Sequence, residues 1–159
     1  MSVVNITIRT ATVADAYAIG ELAKEFQAYL RALGDRTQFE FTAETYLRDG
    51  FGPNPAFSGL VAELDDEVVG YLLYHFGYDT DRAMRLMHVI DLYVQEAKRR
   101  RGVGEALMQA VAKRCQEAGG RELVWSVFVP NKLACQFYER LGAKHIQELK
   151  FMYWPVPSL

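Results

Sequence analysis

The sequence predicts a mixed α/β or α+β fold, a sheet with helices packed on it, and three observations lead there. Apolar periodicity runs in the order strand, two helices, three strands, helix, strand, helix, strands, which fits neither a sandwich nor a helical bundle. The stretch from Leu86 to Val129 reads as strand, helix, strand, so it implies a right-handed crossover joining two parallel strands. No internal repeat or low-complexity linker interrupts the 159 residues, and residues 1–159 therefore read as a single domain.

Each element has a local reason. "NITIRTAT" alternates apolar and polar side chains as a half-buried strand does, and Thr12 with Asp15 forms the S/T-x-x-D start of a helix. That helix carries Ile19, Ala23, Phe26 and Leu30 on one face until Gly34 and Asp35 stop it. A shorter helix is expected from about Thr42 to Arg48, followed by a loop over the Gly- and Pro-rich "DGFGPNPAFSG". "LVAELDDEVVGYLLYHFGY" is a hairpin pattern, two apolar runs about an acidic turn at Asp65 and Asp66. The strand "RLMHVIDLYV" leads into a helix from Gly102 to Ala118, where Val103, Leu107, Ala110 and Val111 recur at helical spacing, followed by Arg114 or Cys115. "AGG" ends it. A strand "ELVWSVFV", a helix with Leu133, Phe137 and Leu141 on one side, and final strands at about Lys144–Leu149 and Phe151–Trp154 complete the chain.

Composition excludes several classes. Half the residues are hydrophobic and 13% are aromatic, which argues against disorder. A net charge of -2 argues against a general nucleic-acid or membrane-surface binder, because those carry a basic surplus. The opening segment lacks a charged leader with a long apolar run, and no later run approaches the roughly 20 residues that span a bilayer, so a cytoplasmic location is expected. Cys115 and Cys135 fall in helical patterns without metal-ligand spacing and read as ordinary thiols. His75, His88 and His145 show no ligand spacing either, read as strand residues, and no metal is expected.

Against that background "KRRRGVG", Lys98 to Gly104, is a local device. A glycine-rich turn between strand and helix aims backbone N–H groups in one direction at the positive end of the helix dipole. Gly102 and Gly104 lack a Cβ, so a phosphate can approach the backbone closely, and the preceding arginines add charge. The segment is not a P-loop, since no Gly-Lys-Ser/Thr follows. It is a poor dinucleotide fingerprint as well, with Leu107 at the third glycine position and Glu122 at the start of a strand instead of the end. Another phosphate-bearing ligand is implied.

"RRRGVG" matches the (Q/R)-x-x-G-x-(G/A) signature, and the chain resembles the GCN5-related N-acetyltransferases, the GNAT family, whose members transfer acetyl from acetyl-CoA to an amine. "DLYV" upstream and "NKLACQFYERLGA", Asn131 to Ala143, are similar to the family's neighbouring motifs in the same order and spacing. "LRDGFGPNPAFSGLVAE" and "VVGYLLYHFGYDT" resemble the branch that holds the spermidine/spermine and diamine N-acetyltransferases. The resemblance implies a twisted, mostly antiparallel sheet with a parallel central pair splayed open, helices on both faces, and acetyl-CoA in the cleft.

The implied chemistry has three parts. The amine must attack as a free base, and Asp91 is the leading carboxylate to take its proton, with Asp49 and Asp35 behind it. By resemblance, the backbone N–H of Val94, with Leu92 and Tyr93 beside it, holds the acetyl carbonyl oxygen. Tyr138 matches the family's tyrosine acid and would protonate the departing thiolate. Arg99, Arg100, Gly102, Val103 and Gly104 would meet the pyrophosphate, largely through main-chain N–H groups, and Asn131 and Ala134 the pantetheine arm.

The acceptor is less defined. The polyamine enzymes of this branch carry acidic residues after the first helix and a glutamate before the aspartate of the cofactor strand; here Gln27, Ala28 and Tyr29 stand in the helix and Ile90 precedes Asp91. The insert "LRALGDRTQFEFT" supplies Asp35 and Glu40 but also Arg31 and Arg36, which suit a substrate carboxylate. A diamine, a polyamine or a lysine-like amino acid is the expected small-molecule partner, held by Asp35, Asp49, Asp91 and Tyr29, with Tyr74 and Tyr78 as further cation–π partners. Transfer to a protein or peptide amine and a non-catalytic acyl-CoA sensor are the alternatives. Family analogy adds a homodimer.

Overall fold

Two apolar faces of one sheet organise the chain, which is described over residues 5–159 by a computed structural model. The strands are β1 (Ile6–Thr10), β2 (Ser58–Leu64), β3 (Glu67–Asp79), β4 (Met84–Val94) and β5 (Leu123–Val124). They lie side by side in sequence order, antiparallel except for the parallel pair of β4 and β5. Helices α1 (Ala16–Ala32) and α2 (Ala43–Gly50) cover one face, and α3 (Val103–Glu117) and α4 (Lys132–Arg140) the other.

Period-two alternation sorts the strand residues between those layers. Leu60, Ala62 and Leu64 of β2 face α3, where Leu72, Met87, Leu107 and Val111 complete a dry core. Val61 faces the opposite way, onto Ile19, Leu22, Tyr46 and Tyr71. Because both faces are covered, the central strands are apolar almost throughout, which is why "GLVAEL" and "VVGYLLY" look continuous in the sequence.

The hairpin of β2 and β3 turns at Asp65 and Asp66, with φ of 50° and 65°, the left-handed conformation that a two-residue turn requires and aspartate tolerates. At the start of α1, Thr12 N–H donates to Asp15 Oδ2 at 2.7 Å, closing the expected helix start. Arg9 of β1 then clamps Asp15 through two bonds of 2.8 Å and reaches Glu63 of β2 at 2.6 Å, tying strand, helix start and neighbouring strand together. The guanidinium holds the Asp15 carboxyl below its usual range.

One irregularity positions the cleft. Leu73 faces Asp91 while Tyr74 faces Val89, so Ile90 is an extra residue in β4, a bulge that bends the strand. β4 meets β5 only at Met87–Leu123 and His88–Val124, and past that point the two part.

The C-terminal part departs from the sequence expectations. Of "ELVWSVFV" only Leu123–Val124 joins the sheet. The strands expected at 144–149 and 151–154 do not form, and His145 therefore lies outside any strand, beside Glu139 at 2.9 Å. An extended chain becomes a strand only by pairing, and this segment leaves Gly142, at φ 92°, without meeting a sheet edge. The apolar side of α4 is open for the same reason: Phe137 is half-buried, whereas Leu133 is 61% exposed.

Candidate active site

Where β4 and β5 separate, a cavity of about 200 Å³ opens between the two helical layers. Its wall on the β4 side runs from Val89 to Leu92, and the opposite wall is Trp125 to Phe128. Phe26 and Leu30 of α1 close one end, and Asn131, Ala134 and Tyr138 of α4 the other. The lining is mostly apolar and aromatic, with one carboxylate, Asp91, and one phenol, Tyr138.

Burial perturbs both groups. Burial raises the Asp91 carboxyl above its ordinary range, against which the Tyr71 hydroxyl, donating at 3.4 Å, is a weak counterweight. Burial also pushes the Tyr138 phenol up to about 12, with the Asp91 charge adding to the rise. Tyr138 is held by ring packing on Trp125, 4.8 Å between centroids, and on Phe137 at 5.1 Å.

The glycine turn lies at the same end of β4. Gly102, at φ 84°, is the N-cap of α3, and the first bond of that helix runs from Ala106 N–H to the Gly102 carbonyl at 2.9 Å. The N–H groups of Val103, Gly104 and Glu105 are thus without intrahelical acceptors and point out of the helix start. A Cβ on Gly104 would stand 3.2 Å from the Phe137 ring, so this glycine also sets how closely α4 packs on α3.

Arg99 is turned inward. Its Nε donates to the Val94 carbonyl at 2.9 Å, and its guanidinium lies over Tyr29 and Tyr93 at 4.9 and 5.3 Å. Gln95 N–H donates to the Val69 carbonyl, and by alternation the Val94 N–H faces away from β3, toward the cleft. Tyr29 in turn donates from its hydroxyl to Asn131 Oδ1 at 3.0 Å, the same oxygen that caps α4 by accepting from Ala134 N–H. Helix α1, the end of β4 and the start of α4 are therefore joined by one chain of contacts.

Asp91, Leu92, Asn131, Ala134 and Tyr138 meet in the cavity, with Tyr29 at its rim and Tyr93, Val94, Arg99, Arg100, Gly102, Val103 and Gly104 on the adjoining turn. Asp35 and Asp49 do not line it. Asp35 accepts from Thr37 N–H at 2.8 Å within its own turn, and Asp49 pairs with its neighbour Arg48 at 2.6 Å. Tyr74 is buried in the core under α3 and Tyr78 stands exposed near the far end of β3, so neither reaches the cleft.

Residues 20–143 match the profile of the Acetyltransferase (GNAT) family. The chain belongs to this family. Among the GNAT relatives, a thialysine N-epsilon-acetyltransferase of Bos taurus is 33% identical over 151 residues, covering 90% of this chain and 86% of its own length. The human spermidine/spermine N(1)-acetyltransferase-like protein 1 is 30% identical over 86% of this chain, which spans only 20% of that longer protein. The fold is shared with the crystal structure of a ribosomal-protein-alanine N-acetyltransferase from Brucella melitensis, with a TM-score of 0.76 over 94% of this chain and 100% of the other, at 19% identity. The chain is thus a GNAT acetyltransferase similar to enzymes named for small amines.

Several residues at the GNAT cleft escaped the sequence reading. Phe26, Leu30, Trp125 and Phe128 line the cavity, and Glu25 reaches the Tyr93 hydroxyl at 3.4 Å. The periodicity of α1 marked Phe26 and Leu30 as core, and Phe26 does pack against it; Glu25 carried one signal, its place four residues before Tyr29 on the same helical face. Among the described residues no group of three or more His, Cys, Asp or Glu side chains is arranged to hold a metal, and no helix is long and apolar enough to cross a membrane.

Proposed function

We propose that this GNAT enzyme acetylates a primary amine of a small molecule, a diamine, polyamine or lysine-like amino acid, using acetyl-CoA. The observation that carries the reading is that Asp91 and Tyr138 line one cavity, beside a helix start with free N–H donors. The Val103, Gly104 and Glu105 amides and the absent side chain at Gly102 suit a pyrophosphate, and the names of the similar enzymes support an amine acceptor.

Acetyl-CoA supplies an acetyl group already activated as a thioester. The chain's part begins with the amine: an alkylammonium of pKa about 10.4 is neutral in only about one molecule in 10³ at pH 7, so a proton acceptor is needed. Asp91, with its affinity for a proton raised by burial, takes that proton better than an ordinary carboxylate would. The Val94 N–H stabilises the negative charge that develops on the carbonyl oxygen. Tyr138, protonated up to about pH 12, donates to the departing sulfur and never loses its proton to bulk solvent near neutrality. The apolar walls of Phe26, Trp125 and Phe128 keep water from competing with the amine.

The test is release of free CoA thiol from acetyl-CoA with polyamines, short diamines, lysine analogues and amino-terminal peptides in parallel. A small diamine or lysine analogue turned over fastest is the expected result. Preference for peptides, or cofactor binding without turnover on any amine, would overturn the proposal.

A further inference from the structure

Two histidines that read as unrelated strand residues in the sequence meet outside the cleft. His75 of β3 and His88 of β4 stand directly opposite each other in the antiparallel ladder. They are 13 positions apart in the chain, so no local ligand spacing announces them. Their neighbours Tyr74, Met87 and Val89 belong to the layer under α3, and alternation therefore turns both imidazoles to the other side of the sheet, the side of α1. The pairing of β2 with β3 ends at Tyr74, so the hairpin projects past β2, and His75 is exposed while His88 is only half-buried.

The ring nitrogens have fixed roles. His75 Nδ1 lies 3.1 Å from the Phe76 carbonyl oxygen. A carbonyl oxygen only accepts, so Nδ1 carries the proton, and in the neutral ring Nε2 is left with a bare lone pair. That Nε2 lies 3.0 Å from His88 Nδ1. A histidine whose other nitrogen donates to a backbone carbonyl is arranged as metal ligands usually are, because that bond sets both the tautomer and the aim of the ring.

The separation also selects among ions. Two nitrogens each about 2.1 Å from one ion stand about 3.0 Å apart at the roughly 90° angle of square or octahedral coordination, and about 3.4 Å apart at the tetrahedral angle that zinc prefers. The observed 3.0 Å is the first of these. Imidazole pairs in that geometry suit Ni²⁺ and Cu²⁺.

We propose that His75 and His88 form a two-histidine site for a divalent transition-metal ion of the Ni²⁺ or Cu²⁺ class, with water in the remaining positions. When the ion binds, the ring proton of His88 moves from Nδ1 to Nε2, so both donors are neutral imidazoles and no net proton is released. His88 is the last residue of β4 paired with β5, and the cavity wall begins at the next residue, Val89. An ion that ties His88 to His75 braces β4 against β3 just before the strand parts from β5. The site uses neither Asp91 nor Tyr138, and it does not depend on which amine the enzyme acetylates.

The probe is Ni²⁺ alone, which does not oxidise the thiols of Cys115 and Cys135. Calorimetric titration of the full chain in a non-coordinating buffer at neutral pH is expected to show one ion per chain. The affinity should fall roughly 10-fold or more in His75→Gln and in His88→Gln and stay unchanged in His145→Gln, which replaces the third histidine. Nitrogen-detected NMR of the parent's imidazoles locates the ion without any variant, so a substitution that disturbs folding leaves the test intact. Paramagnetic Ni²⁺ should broaden the ring signals of His75 and His88 before those of His145. Absence of binding, equal affinity in the parent and in both pair variants, or broadening of His145 ahead of the pair would overturn the proposal.

Discussion

The sheet from β1 to β4 and the stretch from β5 onward are built on different terms. In the first, every strand is paired along its length, helices cover both faces, and Leu60, Val61, Leu72 and Met87 are fully buried. In the second, β5 contributes two residues to the sheet and α4 has no fully buried residue. The cavity lies on the seam, with Asp91 on the well-packed side and Tyr138 on the thin side. Stability and catalysis are therefore expected to separate along the chain, since the groups that hold the fold are not those that face the substrate.

Leu107→Ala should be the sharpest demonstration on the packed side. Leu107 is fully buried under the sheet. Its truncation is expected to cost about 3 kcal/mol in urea unfolding, with kcat at saturating substrates nearly unchanged while the protein remains folded. Tyr138→Phe is the converse, a fall in kcat of roughly 100-fold with acetyl-CoA affinity and Tm close to those of the parent. Equal losses of stability and activity in both variants would erase the distinction between the regions.

Arg9→Ala tests the clamp of the packed side. It removes two 2.8 Å bonds from Asp15, which is almost fully buried, and leaves that carboxylate only the Thr12 donors and no countercharge from Arg9. The loss should cost about 2 kcal/mol at pH 7. Because the Asp15 carboxyl sits below its ordinary range in the fold, its stabilisation is complete above the unfolded value near 3.9 and is lost as the pH falls through the lower native one; the gap between parent and variant should close there. Asp91→Asn should behave in the opposite sense and be the smallest change in stability. Burial raises the Asp91 carboxyl, so its charge weakens the fold at pH 7, and the variant should melt slightly higher than the parent while losing most of its turnover. That gain should vanish as the pH falls below the unfolded value near 3.9, where the carboxyl is protonated in both states. A melting temperature lowered at pH 7 would show that the carboxylate helps to hold the fold.

The packed side was legible in the sequence because its signals are local. Alternation in "NITIRTAT", the Thr12–Asp15 start, the Asp65–Asp66 turn and the glycines before α3 each depend on residues a few positions apart. The thin side was not. "ELVWSVFV" and the final segment have strand-like composition, but whether they pair is decided by an edge elsewhere in the fold or on another molecule. The same limit governs the carboxylates. Asp35, Asp49 and Asp91 are all candidates on paper; the first two are taken by Thr37 and Arg48 close by in the chain, and only the third is carried into the cleft by a strand.

The extra residue at Ile90 decides which side of the sheet each later residue of β4 serves. Asp91 and Tyr93 are presented toward α1, Leu92 and Val94 toward α3. Were Ile90 taken into regular alternation, every side chain from Asp91 onward would exchange sides, and the carboxylate would be driven into the oily layer under α3 while Leu92 turned toward α1. The phase of β4 along the cleft is thus set by a single residue, and a slip of one position there would exchange the side chains that meet α1 with those that meet α3.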